Sequence, residues 1–188
     1  MKNFYKNKTV LITGHTGFKG SWLALIMFFL GAKVIGISLK PINKLNLYNL
    51  IKKFIHKDYI CDLKNYNNFC KIINNHNPDI IFHLAAQALV FESYKNPYYT
   101  FNNNFIVTLN LLEILRNSNK NLTCIFITSD KVYKNQELDY GYIENSPLGG
   151  FDPYSASKAS IEILIESYKQ SYFLKNNNIK LAIARAGN

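Results

Sequence analysis

The chain has 188 residues, 48% of them hydrophobic, which is room for one domain with a sizeable core. No apolar run reaches membrane-spanning length, and Leu23 to Leu30 follows a glycine loop rather than heading a secretory leader, so no membrane partner is expected. The net charge of +10 invites a nucleic-acid reading, but Lys and Asn are scattered through most polar stretches, so no nucleic-acid partner is expected and the basic surface suits an anionic substrate instead.

Strand and helix signals alternate along the chain. Residues 8–13, with Val10, Leu11 and Ile12, read as a strand, and 18–30 as an apolar helix. A second strand over 33–38 is bounded by Gly31 and Pro41. Residues 40–57 are rich in Asn and Lys with Leu and Ile at helical spacing, predicting a loop and a short helix. Asp58 to Cys61 is a short strand, and 65–75 a helix with Phe69, Ile72 and Ile73 towards the core. Pro78 closes a loop before a strand from Asp79 to Leu84, and two helices share 87–117 with a break near Pro97. Leu122 to Thr128 is a continuous apolar run of the kind produced by a sheet covered on both faces. A loop through Gly149 and Gly150 leads to a long helix from Tyr154 to Lys175, and a last strand covers Lys180 to Ala184. This alternation predicts an α/β, doubly wound parallel sheet of the Rossmann type, occupying 1–188 as one domain.

The loop between the first strand and helix carries Gly14, Gly17 and Gly20. In such a unit the first glycine allows a tight turn and the second lets backbone approach a pyrophosphate. The third permits close packing of helix on strand, and the helix N-terminus offers free N–H groups to the anion. His15 is expected to shape this loop, and His83 to cap a buried strand end, rather than to do chemistry. Cys61, Cys70 and Cys124 have no metal-ligand spacing; they read as small apolar fillers in a reducing cytoplasm, and no metal site is expected.

A second constellation is Tyr154-Ser155-Ala156-Ser157-Lys158. Tyr and Lys four apart at a helix start share a face, and a nearby ammonium lowers a phenol towards a usable base. The strand before it ends in Thr128-Ser129-Asp130-Lys131, at the edge of the sheet where open α/β folds bind ligands. A hydroxyl, a carboxylate and an amine gathered there look like a proton-handling site.

Five stretches then carry a resemblance that spans the chain: Thr13 to Leu23, His83 to Gln87, Thr128 to Tyr133, Pro147 to Ser155 with Lys158, and Ala184 to Asn188. With them the sequence resembles the extended short-chain dehydrogenase/reductase superfamily and, within it, the CDP-glucose 4,6-dehydratases. The Phe18-Lys19-Gly20-Ser21-Trp22 run and Lys131 match the subfamily rather than the superfamily.

The resemblance implies a lyase working by internal redox on a nucleotide sugar, CDP-glucose, with NAD as cofactor, in lipopolysaccharide O-antigen deoxysugar formation. Tyr154 takes the proton of the sugar 4-hydroxyl as hydride leaves C4, and Lys158 holds the tyrosine pKa down and binds the nicotinamide ribose. Ser129 polarises the 4-oxygen, Asp130 protonates the leaving 6-hydroxyl, and Lys131 serves near C5 as base or as enolate stabiliser. Cofactor contacts are implied for Gly14, Thr16, Gly17, Phe18, Lys19 and Gly20, for Asp62 and Leu63 at the adenine, and for Ala85 and Ala86 on the path to the nicotinamide. An acid that would read the ribose is missing from the end of the second strand, Ile37-Ser38-Leu39-Lys40, so the residues alone leave NADP open. Val107, where a Gly is usual, and Phe91-Glu92, where an Arg is common, depart from the subfamily pattern. The resemblance further implies a homodimer through helices at 98–117 and 154–175, and a smaller C-terminal nucleotide-sugar domain beyond Asn188, so that the chain reads as an N-terminal fragment. Another nucleotide-sugar dehydratase or epimerase, or a catalytically silent NAD-binding fragment, are the competing readings.

Overall fold

The structure is a computed structural model and describes residues 2–41, 43–174 and 178–187. The sequence expectations for Lys175, Asn176, Asn177 and Asn188 fall outside these residues. Strands β1 (Thr9–Thr13), β2 (Lys33–Ser38), β3 (Lys57–Ile60), β4 (Ile80–His83), β5 (Leu122–Ser129) and β6 (Ile179–Ala186) form one sheet in the order β3-β2-β1-β4-β5-β6. Every pairing is parallel, with Val10 opposite Val34 on one side and Ile80 on the other. The chain order reverses direction across the sheet between β1 and β4, which opens a crevice at their carboxyl ends.

Helices cover the sheet because strand residues alternate faces. Val10, Ile12, Val34 and Ile80 pack under α2 (Phe18–Phe29) and α3 (Leu47–Ile51), through Ala24, Met27, Tyr48 and Ile51. Leu11, Ile35, Ile81, Cys124 and Phe126 point the other way. They meet Phe69, Ile72 and Ile73 of α4 (Tyr66–His76), Leu111, Leu112 and Leu115 of α7 (Val107–Arg116), and Ile165 of α8 (Pro153–Tyr168). With apolar contacts on both faces, the strands read as unbroken apolar runs, and the α/β doubly wound expectation holds.

The differences from sequence expectation are local. A short helix, α1 (Lys2–Tyr5), precedes β1, and Tyr5 packs on the core under α2. The break near Pro97 separates α5 (Val90–Lys95) from α6 (Pro97–Phe101), where the Asn96 side chain accepts a bond from Tyr99 N–H and Pro97 occupies the first turn. From α6 the chain passes through a π-helical turn, Asn102–Ile106, into α7 without leaving the helical path. α8 starts one residue early because Asp152 caps it and Pro153 is preset for a first helical turn. It ends in a second π-helical turn, Lys169–Phe173. β6 is longer than expected, pairing with β5 from Ile179 to Ala186.

Candidate active site

Gly14 ends β1 with φ +75°, donates its N–H to the Ile37 carbonyl at 2.8 Å and accepts from Gly17 N–H at 3.0 Å. A Cβ at Gly14 would lie 2.8 Å from Ala85 N, and one at Gly20 only 2.2 Å from the Gly14 carbonyl oxygen. The first glycine thus serves both the turn and the approach of β4, and the third seats α2 on the loop. α2 starts at Gly17 with no side-chain cap, so its first N–H groups face the loop mouth. Such an end attracts an anion.

Beside this loop, at the carboxyl ends of β1, β2 and β4, is a cavity of about 800 Å³. Gly14, Thr16, Asp62, Leu63, Ala85 and Ala86 line it, as does Val107. Gly17, Phe18, Lys19 and Gly20 form the adjoining start of α2, where Phe18 is exposed. Cys61 lines the cavity too, while Cys124 is fully buried in the core.

The floor of the crevice is held by polar contacts. Thr13 Oγ1 accepts from the N–H groups of Leu84 (3.1 Å) and Ala85 (3.2 Å), so its one proton goes to His83 Nδ1 at 2.9 Å. His83 Nε2 then carries the proton and donates to Thr108 Oγ1 at 3.3 Å, and Thr108 donates to the Asn104 carbonyl at 2.8 Å. Burial, with Lys158 nearby, pushes His83 down to about 3, so it is a neutral structural imidazole. His15 is likewise structural. It is fully buried, 2.9 Å from Asp58 Oδ1, and Asp58 also accepts from the Tyr48 hydroxyl at 2.7 Å. Burial outweighs Asp58 and lowers its pKa.

Across the crevice, Ser129 closes β5 and a tight 3₁₀ turn, Asp130–Val132, follows. Ser129 Oγ accepts from Lys131 N–H at 3.2 Å and donates to Asp130 Oδ1 at 3.0 Å. The turn is braced by a bridge between Tyr133 and Leu148 and by Gly149 N–H on the Val132 carbonyl at 2.8 Å. Asp130 and Lys131 are exposed, whereas Ser129 is buried. On α8, Tyr154 is 8% and Lys158 5% exposed, so both are held in place by their surroundings. Gly150 makes room for this helix start, since a Cβ there would lie 2.3 Å from Ala156 N.

The acidity of Tyr154 departs from the sequence expectation. Its pKa is raised, by burial first and by the Asp130 and Asp152 charges, against a contact with Ser129 that lowers it. Lys158 does not offset this, because its ammonium turns to the Ile127 carbonyl at 3.3 Å. Burial and the Lys19 charge push Lys158 down to about 8, and Glu162 opposes them.

Two supports were not legible as site residues. Asn104, in the π-helical turn, accepts from Gln87 N–H at 2.7 Å and donates to the Gln87 carbonyl at 3.1 Å and Ser157 Oγ at 2.9 Å, tying the loop after β4 to α8. Glu162, one turn beyond Lys158, is buried and accepts from Thr128 Oγ1 at 2.6 Å and from Arg185 Nη2 at 2.6 Å. The signals available were an Asn in a broken helix and an acid on an apolar helix face; both are common in this chain. Glu92, at the second subfamily departure, lines the cavity and pairs with Lys95 at 3.2 Å, and Phe91 is exposed. Among the described residues there is no cluster of metal-ligating side chains, and no helix is long and apolar enough to cross a membrane.

A dinucleotide-type parallel sheet, a glycine loop under an uncapped helix and a buried Tyr-x-x-x-Lys pair define the short-chain dehydrogenase/reductase class. Residues 11–182 match the model of the family described as GDP-mannose 4,6 dehydratase, and the chain belongs to that family. It is 38% identical to the CDP-glucose 4,6-dehydratase of Salmonella typhimurium, an alignment covering 100% of this chain and 54% of that protein. It is 32% identical to the CDP-paratose 2-epimerase of Salmonella typhi, over 88% of this chain and 54% of the relative. Its fold matches the Thermus thermophilus UDP-glucose 4-epimerase solved in complex with NAD, with a TM-score of 0.81, 27% identity, and coverage of 94% of this chain and 54% of that one. The chain therefore spans about half the length of these relatives.

Proposed function

We propose that the chain is the dinucleotide-binding and catalytic part of an NAD-dependent CDP-glucose 4,6-dehydratase, a lyase that forms CDP-4-keto-6-deoxy-glucose. One observation carries the reading. The buried Tyr154 and Lys158 stand on α8 against the turn that follows Ser129 and carries Asp130 and Lys131, while other residues line a cavity of about 800 Å³ at the glycine loop. The 38% identity to a CDP-glucose 4,6-dehydratase over the whole chain supports the choice of nucleotide sugar.

The residues present fit a dinucleotide. Gly14, with no room for a Cβ, and the uncapped start of α2 at Gly17 to Gly20 suit a pyrophosphate, while Asp62, Leu63, Ala85 and Ala86 line a cavity large enough for a dinucleotide. When bound, NAD supplies reversible hydride acceptance. Tyr154 receives the proton of the sugar 4-hydroxyl, and Ser129, whose contact with the phenol lowers its pKa, would steady the 4-oxygen by turning its hydroxyl proton away from Asp130. Lys158, protonated below about 8, would hold the nicotinamide ribose and supply positive charge there. Once C4 is a ketone the C5 proton is acidic. Lys131 then removes it or stabilises the enolate, and Asp130 protonates the departing 6-hydroxyl. The two side chains suit this step because both are exposed on a braced turn. C6 of the resulting alkene takes back the hydride that left C4 and C5 regains a proton, which gives the 4-keto-6-deoxy product with no net redox change. A homodimer through α6, α7 and α8 belongs to the same proposal, with Tyr98, Phe101 and Ile163 as exposed apolar candidates for the contact.

The test is incubation of the enzyme of which this chain is part with NAD and, separately, CDP-, UDP- and dTDP-glucose. The expected result is a 4-keto-6-deoxy product from CDP-glucose in excess over the others. Product formed faster from another nucleotide sugar would replace the substrate. Inversion at C4 without loss of water would replace the reaction with epimerisation.

A further inference from the structure

We propose that the ribose end of the cavity also accepts a 2′-phosphate, taken by Lys40, so that the chain binds NADP as well as NAD. The proposal rests on the reading of the cavity as a dinucleotide site and concerns the discrimination made there. The end of the second strand is where such sheets read the adenosine ribose. A carboxylate hydrogen-bonds a 2′-hydroxyl and repels a phosphate, whereas a cation nearby accommodates the phosphate.

Here that position is neutral. β2 ends at Ser38, and Ser38, Leu39, Lys40 and Pro41 all line the cavity. Thr16 Oγ1 donates to the Leu39 carbonyl at 3.0 Å and lies 2.8 Å from Ser38 Oγ. The single proton of Thr16 is thus engaged, so Ser38 donates to Thr16 and keeps acceptor lone pairs for a ribose hydroxyl. This arrangement serves an unphosphorylated ribose and offers no charge against a phosphorylated one.

The acids that line the cavity are both compensated. Asp62 accepts from Lys64 N–H at 2.9 Å and has the Lys64 ammonium at 3.5 Å, and Glu92 has the Lys95 ammonium at 3.2 Å. Lys40 is exposed at the rim and forms no ion pair among the described residues. One uncompensated ammonium beside a neutral ribose reader, in a crevice without a free carboxylate, is the chemistry of tolerance towards a 2′-phosphate.

The experiment is equilibrium titration of the protein with NAD and NADP, repeated on Lys40→Ala and Lys40→Glu and at two salt concentrations. Wild-type Kd for NADP is expected within about tenfold of that for NAD. The ratio of NADP to NAD dissociation constants should rise about tenfold in Lys40→Ala, the weight of one charge-assisted hydrogen bond, and further in Lys40→Glu. NADP affinity should also fall more steeply with salt. NAD binding with NADP weaker by more than about a hundredfold, or a ratio unmoved by Lys40→Ala, overturns the inference and leaves the NAD site standing. Failure of both dinucleotides to bind overturns the dinucleotide reading and this inference with it.

Discussion

Thr13 and His83 end adjacent strands with Oγ1 and Nδ1 2.9 Å apart, and the two backbone N–H groups already on Thr13 force it to be the donor. A protonated His83 would place a second donor against that hydroxyl. The free energy of the contact is therefore tied to pH.

Acid should destabilise the fold through His83, and in the same direction through His15, whose pKa burial also lowers. The folded pKa of His83 is held down at about 3 from an ordinary 6.5, so between those values the unfolded chain binds the extra proton. Its contribution is complete above pH 6.5 and is lost as pH falls towards 3, on the order of 5 kcal/mol in all. Denaturant midpoints measured across this range should decline more steeply in the wild type than in His83→Gln. Parallel slopes would assign the acid sensitivity elsewhere.

Breaking the pair behind the active-site helix should be costly. Glu162→Ala leaves the Arg185 guanidinium without its partner and Thr128 without its acceptor, a loss of about 3 kcal/mol in unfolding free energy. Glu162→Gln keeps an acceptor for Thr128 and should cost less. A loss below about 1 kcal/mol in Glu162→Ala would show that Arg185 is adequately served by water and by the Glu144 carbonyl, 2.9 Å away.

Tyr154→Phe should cut turnover about 10²–10⁴-fold, the usual range for loss of a positioned acid–base group. Dinucleotide binding should persist, because the cavity is lined by other residues. The measurement is formation of the reduced cofactor on addition of CDP-glucose. An undiminished signal would remove Tyr154 from the proton transfer.

Lys131→Ala should spare oxidation at C4 and block loss of water, since in the proposed reaction the lysine acts only after the ketone exists. Deuterium wash-in at C5 reads this directly. Exchange at the wild-type rate in the variant would exclude Lys131 as base or enolate stabiliser.

Strands were legible because covering both faces leaves β1 and β5 little room for polar residues, and Gly14 and Gly20 because backbone crowding leaves no alternative. Pro97 marks a helix break for a local reason that any sequence shows, whereas the cap at Asp152 sets α8 one residue ahead of the Tyr154 start that the sequence predicts. Asn104 did not stand out, since in an Asn-rich chain one buried amide differs from its neighbours only by what it touches across 17 and 53 residues. The acidity of Tyr154 was misjudged from spacing alone. Four residues on a helix put Lys158 on the same face, but burial and two carboxylates decide the sign, and neither is written in the spacing. Glu162 was missed because its partners come from the ends of β5 and β6.

The His15 ring lies where a side chain on Gly36 would be, 2.6 Å from an added Cβ, and its Nε2 points to Asp58 on the next strand. Positions 15, 36 and 58 are consequently one choice made three times. Alanine at 36 is admissible only with a smaller residue at 15, and a smaller residue at 15 leaves Asp58 to Tyr48 alone. In a lineage of such proteins these positions would have to change together or stay as they are. The glycine of β2, which touches neither cavity nor reacting group, would then be as slow to vary as the glycines of the loop.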